Sequence, residues 1–229
     1  MKLSYATGVL ALYFSLLFNA CQPAPKPMFE VSFSADLEKA AFDGRLLVMI
    51  TKDTVIEPRF QINDSKDTGI LVGKNVAQWT ADKKEYIYAS DLAYPLNTIG
   101  ELASGTYYVQ ALLHKYDTFQ LANGHTVQLP MDQGEGQHWN TSPKNIYSTP
   151  IKINYNSNQQ GPIAIEITNE IPPIPTVEDS KYIKHIKIKS KLLSEFWGRD
   201  MYLQANVLIP EGFKKDSKVR YPLMVYHSQ

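Results

Sequence analysis

The sequence predicts a mainly-β protein in which a two-sheet sandwich takes up most of the chain. Three observations lead there. Short runs rich in Val, Ile, Thr and Tyr recur along 229 residues that include 14 tyrosines, and such side chains suit a pleated, half-buried surface. Turn-forming residues separate the runs. Between Met28 and Thr168 no capped, long apolar stretch has the 3.6-residue period of a helix. With 44% hydrophobic and 20% charged residues, the chain has enough apolar material for a core.

Taken in order, Phe29, Val31 and Phe33 alternate with Glu30, Ser32 and Ser34, which is the pattern of a half-buried strand. Asp43-Gly44 reads as a turn, and residues 45–51 as a strand buried on both faces. Residues 64–69 form a polar turn, and residues 85–89 a further strand. Residues 105–113 are the clearest strand. Its start, Gly105-Thr106-Tyr107, resembles the corner of an immunoglobulin-like sandwich, where a tyrosine hydroxyl bonds back to nearby backbone. Residues 151–155 and 163–168 complete an immunoglobulin-like β-sandwich of about seven strands over 28–169.

Pro172, Pro173 and Pro175 then break the pattern, because proline cannot donate within a central strand. Residues 170–180 read as a linker between domains. Beyond it, Ile186 and Ile188 face one way, and His185, Lys187, Lys189 and Lys191 the other. This is a strand with a solvated lysine face rather than a patch for anionic ligands. Residues 201–209 form a second strand, ended by Pro210-Glu211-Gly212, and residues 223–226 a buried third.

At the N-terminus, Lys2 precedes an apolar run over 9–18 that only Ser15 interrupts. The layout is that of an export signal over 1–20, too short to span a bilayer comfortably. Leu17-Phe18-Asn19-Ala20-Cys21 resembles a bacterial lipobox. That resemblance implies cleavage before Cys21, a diacylglycerol on its thiol, and the membrane as a partner. The expected location is the cell envelope, lipid-anchored on the periplasmic or cell-surface side. The alternative is an ordinary cleaved signal with an incidental cysteine. Cys21 is the only cysteine, so no internal disulfide exists. Prolines at 23, 25 and 27 make residues 21–27 a stiff tether.

Charge excludes one function class. Lys plus Arg and Asp plus Glu both equal 23, which leaves no basic footprint for nucleic acid. The five histidines, at 114, 125, 138, 185 and 227, have no metal-ligand spacing, so neither metal nor cofactor is expected. Residues 64–69 fall short of a calcium loop because Lys66 occupies a ligand position. Asn140-Thr141-Ser142 is a glycosylation sequon of no consequence behind a bacterial-type signal. The most unusual stretch is a Gly-rich loop carrying Asp132, Glu135, His138 and Trp139. It reads either as a sugar site, with tryptophan stacking and polar groups bonding hydroxyls, or as a structured loop or interface.

The C-terminal residues resemble the opening of bacterial exported esterase domains of the α/β-hydrolase superfamily. Three stretches carry the likeness: Phe196-Trp197-Gly198-Arg199-Asp200, then Ala205-Asn206-Val207-Leu208-Ile209-Pro210-Glu211-Gly212-Phe213, then Arg220-Tyr221-Pro222-Leu223-Met224-Val225-Tyr226-His227. Residues 130–140 and 143–148 are similar to the sandwich domain that precedes some of these hydrolases. The resemblance implies that residues 181–229 open an α/β-hydrolase domain, with His227 and Ser228 at the start of an oxyanion loop. Such a hydrolase needs Gly-x-Ser-x-Gly and, later, an acid and a histidine. The 229 residues contain no Gly-x-Ser-x-Gly, so no catalytic residue is assigned. The expectation is an accessory portion of an exported esterase-like hydrolase, truncated before its catalytic residues. The competing expectation is a surface lipoprotein module that binds a polysaccharide or protein partner.

Overall fold

The structure is a computed structural model that describes residues 25–216 and 218–227. The expected export signal over 1–20, Cys21 and Ser228 lie outside the described residues. The fold is mainly β, and the chain divides into two compact units: residues 25–118 with 128–173, and Phe119–Val127 with 174–227.

The first unit is built from two sheets. One has the strand order β10-β1-β4, from β10 (Ile163–Ile167), β1 (Pro27–Phe33) and β4 (Glu85–Tyr88). The expected alternation of β1 holds, and Phe29, Val31 and Phe33 are buried. β1 pairs in parallel with β10 and antiparallel with β4. The larger sheet is centred on β6 (Gly105–Gln120), β2 (Phe42–Thr51) and β3 (Ile70–Trp79). β5 (Ala93–Tyr94) extends it at one side, and β8 (Ile146–Tyr147) and β11 (Asn169–Glu170) at the other. β9 (Ile151–Tyr155) and β7 (Thr126–Leu129) also pair with β6.

Between the sheets lies the main core. Phe29, Val31, Ile87, Ile165 and Ile167 from one sheet meet Leu46, Val48, Val72, Val109 and Leu113 from the other. Phe33, Phe42 and Trp79 close one end. The Phe33 and Trp79 rings meet edge to face at 5.1 Å, a geometry that aromatic quadrupoles favour.

Three sequence expectations need correction here. Asp43-Gly44 is not a turn but part of β2. The glycine is needed because a Cβ at Gly44 would stand 2.3 Å from the His114 carbonyl oxygen on β6, a close approach at an irregularity in the β2–β3 pairing. The linker starts later than residue 170. Asn169 and Glu170 pair with β8, and Ile171 is buried, its N–H bonded to the Asn145 carbonyl. Residues 223–226 are not a buried strand. They pair with nothing in a sheet, and Leu223, Met224, Val225 and Tyr226 are 85, 89, 80 and 85% exposed. Among the described residues no neighbouring strand covers them.

The second unit holds the hairpin of β12 (Ile183–Lys189) and β13 (Tyr202–Leu208), paired antiparallel over seven residues each. The connection contains a short helix, α1 (Lys191–Trp197). Ser190 caps its start by accepting from the Leu193 N–H, and Gly198 ends it at φ +65, the left-handed stop that glycine adopts freely. Trp197 packs edge to face on Phe119 and Phe196, and the Arg199 guanidinium lies over Phe119.

The Tyr107 corner forms as expected: its hydroxyl donates to the Ala103 carbonyl at 3.0 Å. Tyr107→Phe is expected to destabilise the protein by about 1 kcal/mol, read as a lower urea midpoint at unchanged slope.

Candidate functional site

The larger sheet is covered on its outer face as well. Successive side chains of a strand point to opposite faces. On β6, Val109, Ala111 and Leu113 enter the main core, so Gln110, Leu112 and His114 point outward, and all are buried. Leu47, Met49, Leu112 and Ile171 form a second apolar cluster, against which Ile62, Leu71, Trp139 and Tyr147 pack.

A buried polar network lies beside this cluster. The Gln110 side chain accepts from the Arg59 N–H at 3.0 Å, and donates to Glu57 Oε2 at 2.8 Å and to the Ser148 carbonyl at 2.9 Å. Arg59 donates through Nε to Glu57 Oε2 at 2.9 Å and through Nη1 to the Asn140 carbonyl at 3.1 Å. Its guanidinium stands 4.6 Å from the Phe60 ring centre and 4.1 Å from that of Tyr147, so the cation is held by both carboxylate and aromatic faces. Asn145 accepts from the Lys115 N–H and donates to the Trp139 carbonyl, while Ser148 Oγ accepts from the Ala111 N–H. The Gln110, Lys115 and Ala111 bonds tie the covering segments to the sheet, the Arg59–Asn140 bond ties one segment to the other, and the Arg59–Glu57 and Asn145–Trp139 bonds hold each segment in shape. The network is a latch that fastens residues 57–62 and 139–145 over the outer face and ties them to the β8 edge of the sheet.

The loop carrying Asp132, Glu135, His138 and Trp139 continues into this latch. Asp132 Oδ1 accepts from the Gly134 N–H at 2.7 Å, and Glu135 Oε2 from the Gln133 N–H at 2.8 Å. Gly134 and Gly136 take φ of +107 and +69, which suit glycine. His138 is exposed and its carbonyl accepts from the Thr141 N–H. Trp139 is half-buried against the second cluster. The carboxylates thus bond the loop's own backbone and the indole packs inward, the geometry of a structured loop. Asn140 is engaged too, its Nδ2 donating to the Arg59 carbonyl.

Beside the loop, a recess of about 290 Å³ is lined by Lys115, Asp117, Gln133, Ser142, Lys144 and Asn145. Gln133 donates to the Pro143 carbonyl and Lys115 to Glu38 Oε2. Burial pushes the Glu38 carboxyl up, but the Lys115 ammonium and the Ala40 and Lys39 N–H groups outweigh it and hold the group below its ordinary value. His114 is shifted down by burial, against the opposing pull of Glu135. Its ring packs edge to face on Tyr116 at 5.4 Å.

Among the described residues no serine or threonine hydroxyl is hydrogen-bonded to a histidine ring, and no group of three or more His, Cys, Asp or Glu converges as metal ligands. His227 is exposed. No described helix is long and apolar enough to cross a membrane. Asp132, Glu135, His138 and Trp139 share one loop of the sandwich unit, His227 belongs to the other unit, and Cys21 and Ser228 are outside the described residues. The latch residues Glu57, Arg59 and Gln110 were not singled out in the sequence. The available signal was a glutamine in the middle of the apolar run over 107–113. No protein-family model, curated protein or solved structure matches the chain.

Gln110→Leu keeps the volume but strands the Arg59 N–H and the Ser148 carbonyl. It is expected to cost about 3 kcal/mol, since each buried unpaired group costs roughly 1–3 kcal/mol. Chemical denaturation checks this, and a variant within about 0.5 kcal/mol of the parent would show that the latch carries no stability.

Proposed function

We propose that this chain is the accessory portion of an exported, lipid-anchored, esterase-like hydrolase, its sandwich immunoglobulin-like and residues 181–227 belonging to the opening of the α/β-hydrolase sheet. One observation carries the reading: the second unit presents a strand hairpin with an apolar face that nothing described covers. In the β12–β13 register, Ile186 lies opposite Ala205 and Ile188 opposite Leu203, all on one face, and Lys187 and Gln204 lie on the other. Ile186, Ile188 and Leu203 remain exposed, as do Leu208 and the apolar residues 223–226.

A hairpin of two strands is marginal in water, and three or more strands or a packed helix are needed for independent stability. Exposed apolar area of this kind is characteristic of interfaces. The first strands of an open α/β sheet have this need, because such sheets are covered on both faces. Lipobox-like residues ending at Cys21 support export and anchoring, and the Tyr107 corner supports the immunoglobulin-like assignment. The role this gives the present residues is to carry and start the hydrolase sheet. Ester hydrolysis would be the work of a serine, acid and histidine set that these residues do not contain.

The purified 229-residue chain is expected not to turn over p-nitrophenyl acyl esters above the buffer rate. It is also expected to bind anilinonaphthalene sulfonate, with much of the fluorescence lost in the Leu223→Asp, Val225→Asp double variant. Ester turnover abolished by Ser228→Ala would overturn the assignment. Dye fluorescence unchanged by the double variant would remove its structural support.

A further inference from the structure

We infer that one end of the sandwich unit, the end at which β1 begins, is a membrane-contacting surface that touches the bilayer through two apolar loop tips. The inference rests on the lipid-anchor reading of Cys21 and extends it from an attachment point to an orientation.

Strand directions define that end. β1 starts at Pro27, opposite Tyr88 at the end of β4. Thr51 at the end of β2 pairs with Tyr108 near the start of β6. Ile50 pairs with Ile70 at the start of β3, and Gly105 with Tyr155 at the end of β9. The connections over 52–69, 89–104 and 156–162 therefore all lie at the end from which β1 departs. Lys26 is fixed there: its carbonyl accepts from the Ala89 N–H at 3.1 Å, and its ammonium donates to the Ser157 carbonyl at 3.3 Å. Lys26 is five positions along the chain from Cys21. At no more than about 3.6 Å per residue, five residues reach at most about 18 Å whatever their conformation. A lipid on Cys21 thus confines this end of the unit to within about 18 Å of the bilayer surface.

An independent observation selects the same end. The sandwich unit exposes few large apolar side chains, and those it does expose are concentrated in two of these connections. Val55 is 90% and Leu92 80% exposed, and Ile56 beside Val55 is exposed; Phe60 in the covering segment and Tyr94 in β5 are exposed within the same two connections but are not tip residues. Outside the two connections the unit exposes only Leu129 among its described large apolar residues. At the opposite end, the 80–84 turn bears Asp82, Lys83 and Lys84, all exposed. Apolar tips beside a tether gain free energy by entering the headgroup–acyl boundary, as interfacial anchors do. The connections at this end carry more carboxylates than cations, so contact depends on lipid chain and apolar tips rather than on anionic headgroups, and it should survive high salt.

The test uses the full-length lipidated protein in phosphatidylcholine vesicles. Lipid on Cys21 leaves an introduced cysteine as the one free thiol. Separate Val55→Cys, Leu92→Cys and Lys83→Cys proteins carry an environment-sensitive fluorophore, and part of the lipid carries a doxyl quencher. The expected result is a blue-shifted, quenched emission at positions 55 and 92, and neither effect at 83, in both low and high salt. Metabolic labelling with a clickable palmitate analogue, lost in Cys21→Ser, reports the anchor separately. Labelled protein with no quenching at 55 and 92 overturns the orientation and leaves the anchor standing. Absence of the palmitate label overturns the anchor reading, and the orientation falls with it.

Discussion

The sandwich depends on one constraint: the two central strands of the larger sheet, β2 and β6, are buried on both faces over much of their length. β6 shows it best. Val109, Ala111 and Leu113 fill the space between the sheets, while Gln110, Leu112 and His114 lie beneath the covering segments, and all six are buried. β2 does the same, with Leu46, Val48 and Ile50 inward and Leu47 and Met49 outward. A strand buried on both faces reads as a continuous apolar run rather than an alternation. Its outer side must then be closed by chain that is not strand, whose backbone polar groups need partners. The Glu57–Arg59–Gln110 latch provides those partners, and Trp139 and Tyr147 supply the apolar lining.

The second unit is built under the opposite condition. Its order comes from local sources: the hairpin register, the Ser190 cap, the Gly198 stop, and ion pairs such as Lys189 with Asp200 at 2.6 Å. Exposed ion pairs are worth little, and no residue of α1 is buried. Hydrophobic burial is the dominant favourable term in folding, and this unit has little of it. The functional reading follows from that contrast. The sandwich unit closes its own core, and the hairpin unit leaves its large apolar residues exposed.

Much of the sandwich was legible because its strands carry local patterns. The alternation at Phe29, Val31 and Phe33, the apolar run over 45–51 and the Tyr107 corner are each contained in a few residues. β3 was not legible, because Gly73, Lys74 and Asn75 interrupt its apolar pattern. Glycine there accommodates a tight approach, since a Cβ would stand 2.9 Å from the Leu47 side chain and 3.0 Å from Arg45 Nε. Gly44 was misread because a close backbone approach and a turn leave the same mark in a sequence. The latch could not be read at all. Its bonds join residues 51 and 81 positions apart, and neither charge nor periodicity predicts which distant carbonyl an arginine will meet. For residues 223–226 the local pattern correctly marked apolar chain, but burial requires a partner surface, which a local pattern does not specify.

The two units differ in kind: the sandwich unit is closed by its own packing, and the hairpin unit leaves its apolar residues exposed. Native-state hydrogen exchange measures this most directly, because protection reports the free energy of opening each segment. Amides of β2 and β6 should exchange only through global unfolding of the sandwich, and amides of β12 and β13 should exchange orders of magnitude faster, through local opening. Equal protection of the two strand sets would contradict the account, because the hairpin would then be as well supported as the sandwich.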